Sequence, residues 1–204
     1  GLQVGQPPKR MIIAVVLSAG QSSRMGRPKA LLPIEGQRFI ERIIRVLGLS
    51  TVARTIVVLG HHADQLRGQL EHLPVEFVIN PDYHSGQLSS LQAAIRHIKN
   101  DDRCDGILVH LVDHPFIDVA LVDKLIEGFF DTKKLIVVPR YKEKRGHPVI
   151  FSRELFEELL NAPVDQGAKA VVNAHRQDTL QIDWQDEGIT LDIDTPELYR
   201  QHVR

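Results

Sequence analysis

A short segment near the start of the chain concentrates residues that could bind phosphate. The stretch LSAGQSSRMGRPKALL, residues 17–32, has no acidic residue and carries three cations within six positions, beginning with Arg24 and ending with Lys29. Gly20 and Gly26 give its backbone the freedom to approach a ligand closely. The segment follows an apolar run, and exposed N–H groups and cations at the end of a strand can surround a phosphate. The residues therefore predict an anion-binding loop in which Arg24 and Lys29 supply positive charge.

Two standard phosphate-binding motifs do not describe this loop. A Walker A loop has four residues between its glycines and then Lys-Ser/Thr, whereas five residues separate Gly20 from Gly26 and Lys29 follows an Arg-Pro pair. The loop also lacks the Gly-x-Gly-x-x-Gly fingerprint of dinucleotide-binding folds. On composition alone, a solvated basic loop without a ligand is an equal alternative, because surface Arg and Lys are common.

Three aspartates could hold a divalent cation. Asp113 follows the apolar run GILVHLV, and Asp192 and Asp194 lie in ITLDIDTPELY. Mg²⁺ is commonly bound by one or two carboxylates together with phosphate oxygens and water. If residues 190–194 form a strand, its period of two places Asp192 and Asp194 on one face, where a cation would offset their repulsion. The alternatives are that Asp113 forms a turn before a proline and that Asp194 caps a helix starting near residue 195.

Polar residues around a second strand end could contact a ligand or cap a helix. In NPDYHSGQLSSLQAAI, Asn80 ends a predicted strand, and Ser89 and Ser90 lie in the first turn of a predicted helix. Hydroxyls at that position can satisfy free backbone N–H groups or contact a ligand. His147, in RGHPVIF, could be a hydrogen-bonded core histidine or could shape a binding site.

These segments together resemble the nucleotidyltransferases of the molybdenum-cofactor group. The opening loop resembles their signature Leu-x-Ala-Gly-x-Ser-x-Arg-Met-Gly-x-x-Lys-x-Leu-Leu, with Ser18 in place of the usual Ala. The later segments resemble the group's Asn-Pro-x-Trp/Tyr, Asp-x-Pro, Gly-His-Pro-Val and Asp-Ile-Asp-Thr-Pro-Glu-Asp motifs. Leu88 stands where a serine is common, and Leu198 replaces the last acid. Ala19-Gly20, rather than Gly-Gly, makes the chain similar to the cytidylyltransferase branch.

The resemblance implies an enzyme and a set of roles. It implies a Mg²⁺-dependent transfer of CMP from CTP to the phosphate of molybdopterin or molybdenum cofactor, with release of pyrophosphate. A molybdoenzyme that receives the product is a further partner that it allows. The implied catalytic residues are Arg24, Lys29 and Asp113, and the implied metal ligands are Asp113, Asp194 and Asp192. The implied binding residues are Ala19, Gly20, Ser22, Ser23, Arg24, Gly26, Lys29, Asn80, Ser89, Ser90 and His147.

Two other functions compete with this interpretation. A nucleotidyltransferase that acts on a sugar or polyol phosphate would need the same opening loop, but the Gly-His-Pro and Asp-Ile-Asp-Thr-Pro segments argue against it. A non-catalytic accessory protein could bind the nucleotide and a pterin without turnover. Such a protein has no need for several metal-binding carboxylates, so the aspartates favour catalysis.

The elements that must position these residues alternate between strands and helices. Apolar, β-branched runs predict strands at 12–18, 53–60, 75–80, 105–112 and 134–139. Amphipathic segments predict helices at 38–49, 89–99 and 120–130. This alternation predicts a Rossmann-like three-layer α/β domain with a mostly parallel sheet. In the last third, short strands at 147–151 and 189–194 and helices near 152–161 and 167–175 predict a short antiparallel part.

Length and composition set the outer limits of the interpretation. A chain of 204 residues, 43% of them apolar, predicts one domain over 1–204, with residues 1–10 as a flexible tail. A net charge of -1 and the lack of a long apolar run argue against a general nucleic-acid or membrane binder. Cys104 is the only cysteine, so no intramolecular disulfide can form, and we expect a cytoplasmic protein. The histidines have no zinc-site spacing.

Overall fold

A central eight-stranded sheet organises the chain. The computed structural model describes residues 11–20 and 25–203. The sheet has the order β10-β7-β9-β6-β1-β4-β5, with β8 paired to β7, and β2 and β3 form a separate two-stranded ribbon. The strands are β1 (Ile12–Ser18), β2 (Pro33–Ile34), β3 (Gln37–Arg38), β4 (Arg54–Leu59), β5 (Glu76–Ile79), β6 (Gly106–Leu111), β7 (Ile136–Tyr141), β8 (Lys144–Arg145), β9 (Val149–Ser152) and β10 (Thr179–Asp183).

Seven α-helices lie among the described residues. They are α1 (Phe39–Leu49), α2 (Ala63–Leu70), α3 (Gln87–Ile98), α4 (Val119–Thr132), α5 (Phe156–Asn161), α6 (Gly167–Ala174) and α7 (Pro196–His202). Short 3-10 helices cover Lys29–Leu31, Tyr83–Ser85, Arg153–Leu155, Arg176–Asp178 and Glu187–Thr190. None of the helices in the described part of the chain is both long and apolar enough to cross a membrane.

The pairing confirms a mostly parallel sheet with a short antiparallel part. β1 runs parallel to β4 and β6, β4 is parallel to β5, and β10 is parallel to β7. β9 alone separates β6 from β7, and it is antiparallel to both. The antiparallel strand comes from the HPVIF segment, in the C-terminal third where the sequence predicted it.

Helices cover both faces of the sheet and make three layers. Along β1 the side chains alternate, so that Ile13, Val15 and Leu17 join one buried cluster with α3, α5 and α6. Ile12, Ala14 and Val16 join a second cluster with α1 and α4 on the opposite face. Strands covered on both faces must be apolar throughout, which explains the unbroken apolar run of β1. Full burial of a Val, Leu or Ile side chain contributes about 1.5–3 kcal/mol before entropy costs.

The predicted strand at 189–194 is wrong. Its first part lies in the 3-10 helix Glu187–Thr190, and residues 191–194 have no regular structure. Ile189 and Ile193 are both buried, as an alternating strand would also require, but no strand among the described residues pairs with this segment. The segment is fastened through its backbone instead, because the Ile193 N–H donates to the Asp113 carbonyl at 2.8 Å. The Thr195 side chain caps α7 by accepting from the Leu198 N–H, so the alternative role of Asp194 as the cap is also wrong.

Candidate active site

The candidate site lies at the carboxyl edge of β1 and β6. These strands are parallel neighbours, and their register pairs Leu17 with Leu111. The loops that leave them, with Gly20 after β1 and Asp113 after β6, therefore open onto the same edge. A cavity of about 640 Å³ lies there, and its lining includes Gly20, Gly26, Lys29, His61, Gln87 and Asp113.

The opening loop borders this cavity in the part that the structure describes. Ala19 is buried, and its carbonyl accepts a hydrogen bond from the His61 N–H at 3.1 Å. Among the described residues other than each glycine's chain neighbours, no atom lies within 4 Å of where a Cβ on Gly20 or Gly26 would be, and Gly26 has φ +73°. The space predicted for close approach of a ligand is thus present at both glycines, and the unusual backbone angle is present at Gly26. Ser22, Ser23 and Arg24 lie outside the described residues.

Lys29 and Asp113 meet at the floor of the cavity. The Lys29 ammonium donates to Asp113 Oδ2 at 3.4 Å, and both side chains are less than one-fifth exposed. Burial alone would raise the pKa of Asp113, but a hydrogen bond from Asp192 and the charges of His114 and Lys29 lower the pKa below its usual value. Asp113 is therefore an anion at neutral pH, next to a cation that borders the space for phosphate.

The pKa of Asp192 shifts in the opposite direction from that of Asp113. Burial, its hydrogen bond to Asp113 and repulsion by Asp113 and Asp194 raise the pKa of Asp192 to about 7. Two carboxyl groups that share a proton in this way are poised to exchange it for a metal ion. Asp194 contributes charge to this group of residues and is half-buried.

One group of metal-ligating side chains in the described residues forms here. Asp113, His114 and Asp192 each place one ligand atom within 4.8 Å of the others. Two of the three predicted metal ligands are thereby brought together, whereas Asp194 is outside this group. The third member, His114, was not predicted. Its signal in the sequence was its position next to Asp113 in the VDHPF segment.

Asn80, Ser89 and Ser90 form a buried hydrogen-bonded group. The Asn80 side-chain amide donates to both serine hydroxyls at 2.9 Å, and all three residues are less than a tenth exposed. Ser89 in turn donates to the Gly86 carbonyl at 2.6 Å, at the start of α3. These contacts fix the end of β5 against the start of α3. None of the three lines the cavity itself, whereas Gln87, the first residue of α3, does.

A second cavity of about 580 Å³ adjoins the first. The two share Leu17, Gln87 and Leu111. Much of its lining is apolar, and its charged residues are three cations and one anion, namely Lys144, Arg145, Lys169 and Asp165. This cavity can accept a molecule that is partly apolar and partly anionic.

His147 stands between the second cavity and the carboxylates. It lines the second cavity, its ring centroid lies 4.9 Å from that of His114, and its backbone N–H donates to the Ile189 carbonyl at 2.9 Å. Burial, with smaller repulsion from His114, lowers the pKa of His147 to about 4, so the imidazole is neutral at pH 7.

Comparison with known proteins identifies the family. The model for the MobA-like NTP transferase domain matches residues 14–179. The chain belongs to this family. The "Nicotine blue oxidoreductase" of Paenarthrobacter nicotinovorans is 31% identical, with 93% of this chain and 95% of that protein covered. The "Molybdenum cofactor cytidylyltransferase" of Escherichia coli strain K12 is 27% identical, with 91% and 92% covered.

Solved structures support the same assignment. The crystal structure of Rv0371c from Mycobacterium tuberculosis H37Rv superposes with a TM-score of 0.83 at 30% identity, covering 94% of this chain and 96% of that one. The same protein has been solved in complex with manganese, and that structure has a TM-score of 0.80 at 28% identity, with 95% and 98% covered. The fold of this chain is thus shared over nearly its whole length with these two structures.

Proposed function

We propose that this MobA-like transferase moves CMP from CTP to the terminal phosphate of molybdopterin or of its molybdenum form. A phosphate oxygen of the acceptor forms a bond to the α-phosphorus of CTP, the bond from that phosphorus to the bridging oxygen breaks, and pyrophosphate leaves with the electron pair. The observation that carries the proposal is the junction of two cavities beside Lys29, Asp113 and His147. One cavity borders the phosphate-binding loop, and the other offers an apolar wall with cations.

The proposed roles follow from where the side chains lie. The loop from Gly20 to Gly26 holds the triphosphate, and Arg24 and Lys29 bind the leaving pyrophosphate. Lys29 reaches this position because Asp113 holds its ammonium at 3.4 Å. Catalysis of this kind depends on alignment of the reacting groups and on fixed charge, and it needs no nucleophilic side chain.

Other residues position the two substrates. Asn80, Ser89 and Ser90 hold the start of α3, which presents Gln87 to both cavities, and through it they orient the base and ribose. Neutral His147 shapes the wall of the acceptor cavity. Support for CTP comes from Ala19-Gly20 and from the name of the Escherichia coli relative.

The donor set fits a divalent cation. Asp113 and Asp192 supply two carboxylates whose shared proton a cation would replace, and the mycobacterial structure with manganese supports a divalent ion in this family. Asp194 is proposed to support the site through its charge. When bound, Mg²⁺ or a similar ion would offset negative charge that builds on the phosphates.

The first experiment measures pyrophosphate release with CTP, GTP and ATP, each with Mg²⁺ or Mn²⁺ and with or without molybdenum cofactor. Release that requires CTP and the cofactor, and that falls at least a hundredfold in Asp113→Asn, supports the proposal. Asp131→Asn, an exposed change at the end of α4, is the matched control and should keep full activity.

Preference for GTP would contradict the base assignment, and binding of nucleotide and cofactor without release would identify an accessory protein. Release that requires a sugar or polyol phosphate would identify another acceptor.

A second candidate function is an oxidoreductase, because the 31% identical relative carries that name. The same samples can be tested for oxidation of reduced nicotinamide cofactors with small heteroaromatic acceptors, followed by the loss of the reduced cofactor's absorbance. Oxidation that depends on the protein, in samples that release no pyrophosphate, would replace the transferase proposal.

A further inference from the structure

His114 has the position and the chemistry of a metal ligand. Its Nε2 lies 3.9 Å from Asp113 Oδ1, which is longer than a hydrogen bond. Donors that share an octahedral ion with bonds of about 2.1 Å lie about 3 Å apart when adjacent and about 4.2 Å apart when opposite. The separation between the two side chains therefore leaves room for an ion between them, with only small shifts of either.

One nitrogen of the His114 imidazole has no hydrogen-bond partner among the described residues. Its side chain is 7% exposed, and its Nδ1 is buried without a hydrogen-bond partner among the described residues. A buried polar atom without a partner is unfavourable, because it has lost its hydrogen bond to water. A cation held by the neighbouring carboxylates would bind the ring at Nε2, the nitrogen 3.9 Å from Asp113 Oδ1, and leave Nδ1 without a partner.

Contacts with neighbouring residues hold the His114 ring and the two carboxylates in place. The His110 ring Nε2 lies 2.8 Å from the His114 carbonyl oxygen and donates to it, and the His147 ring packs at 4.9 Å from the His114 ring. Asp192 belongs to the segment that the Ile193 N–H ties to the Asp113 carbonyl. Both sides of the site are thus fixed relative to one another before any ion binds.

We propose that His114 is a nitrogen ligand beside Asp113 and Asp192, and that it makes the site prefer Mn²⁺ and similar first-row ions to Mg²⁺. The inference rests on the divalent-cation part of the proposed function and refines it. Mg²⁺ strongly prefers oxygen ligands, whereas imidazole suits the transition-metal ions. One nitrogen donor in place of oxygen therefore shifts selectivity without preventing binding.

The test is pulsed electron paramagnetic resonance on Mn²⁺ bound to tag-free protein without nucleotide. We expect ¹⁴N modulation typical of a directly bound imidazole, and its replacement by a ¹⁵N pattern when the protein is grown with [¹⁵N]histidine. His114→Gln, which keeps a polar side chain, should lose this modulation. His72→Gln, at an exposed position away from this group, should retain it.

Competition between Mn²⁺ and Mg²⁺ gives a second readout. The preference for Mn²⁺ should fall about tenfold or more in His114→Gln and stay unchanged in the exposed control His72→Gln. Bound Mn²⁺ without nitrogen modulation in the wild-type protein would overturn the proposal even if His114→Gln failed to fold. Modulation that persists in folded His114→Gln, or no Mn²⁺ binding at all, would also overturn it. Nitrogen-bound Mn²⁺ in a protein that releases no pyrophosphate would contradict only the proposed reaction.

Discussion

Burial changes the chemistry of individual histidines around the carboxylates. His110 is 1% exposed, and burial, aided by repulsion from His114, lowers the pKa of its imidazole to about 3. The unfolded chain protonates the same ring near pH 6.5. Between these values the unfolded state binds more protons than the folded state, so the free energy of unfolding must fall as the pH falls.

This linkage predicts how His110→Gln changes the stability profile. Glutamine can still donate to the His114 carbonyl but does not titrate, so the variant should lose less stability than the wild type between pH 6.5 and 4. We expect a difference of about 1–3 kcal/mol over that range, since each unit of pKa shift corresponds to about 1.4 kcal/mol. Urea unfolding at pH 4, 5, 6 and 7 measures it. Exposed His72→Gln is the control, and parallel profiles for wild type and His110→Gln would contradict the prediction.

The amide of Asn80 satisfies two hydroxyls at once. Asn80→Ala removes the donor to Ser89 and Ser90 and also the oxygen that accepts from the Asp82 N–H at 3.0 Å. Because these groups are buried, we expect a loss of about 1–3 kcal/mol in the free energy of unfolding. Chemical denaturation measures the change. Asn161→Ala, at an exposed position in α5, should cost less than about 0.5 kcal/mol, and equal effects of the two changes would refute the proposed role.

At the scale of elements, the sequence predicts those strands whose own residues form an unbroken apolar run. β1, β4 and β6 are continuous apolar runs, and their ends place Gly20 and Asp113 together without further information. β10 was missed because only alternate residues, Leu180 and Ile182, are apolar, and the strand lies at the sheet edge. Residues 189–194 were assigned wrongly because long-range contacts, to Asp113 and to Gly146, determine their path.

Those contacts make Gly146 a sensitive position. A Cβ at Gly146 would lie 2.2 Å from the Ile189 carbonyl oxygen, so Gly146→Ala must displace the backbone at Ile189, three positions before Asp192. We expect a loss of about 1–3 kcal/mol in stability, together with weaker Mn²⁺ binding. Thermal unfolding and metal titration measure the two effects.

Gly68→Ala is the matched control. Gly68 lies within α2, with no atom within 4 Å of an added Cβ, so alanine there should raise stability by about 0.5–1 kcal/mol and leave metal binding unchanged. Unchanged metal binding in Gly146→Ala would show that the Ile189 segment does not position Asp192.

At the scale of the whole molecule, strand register explains why two cavities meet. Parallel β1 and β6 open toward one edge, and antiparallel β9, which separates β6 from β7, precedes α6 on the side of the second cavity. The sequence motifs predicted which strand ends carry polar residues. They did not predict His114 as part of the cation site or the burial of Asn80, Ser89 and Ser90, because both depend on how distant segments pack in three dimensions.

Because different charged residues line the two cavities, a substitution in one cavity should change the KM of only one of the two substrates. Lys169 lines only the second cavity and is exposed, so Lys169→Glu should weaken an anionic acceptor and leave the nucleotide unaffected. An exposed charge pair contributes about 0.2–1 kcal/mol. Lys169→Glu removes one attraction to the anionic acceptor and adds one repulsion. We therefore expect the KM for molybdenum cofactor to rise about three- to tenfold while the KM for CTP stays constant.

Salt dependence and a control variant test the electrostatic origin of that change. The difference between Lys169→Glu and wild type should shrink at high ionic strength, because screening weakens interactions between exposed charges. Lys124→Glu, an exposed change on α4 outside both cavities, should leave both KM values unchanged. If Lys169→Glu instead raised the KM for CTP alone, the second cavity would belong to the nucleotide, and the acceptor would have to enter beside the opening loop.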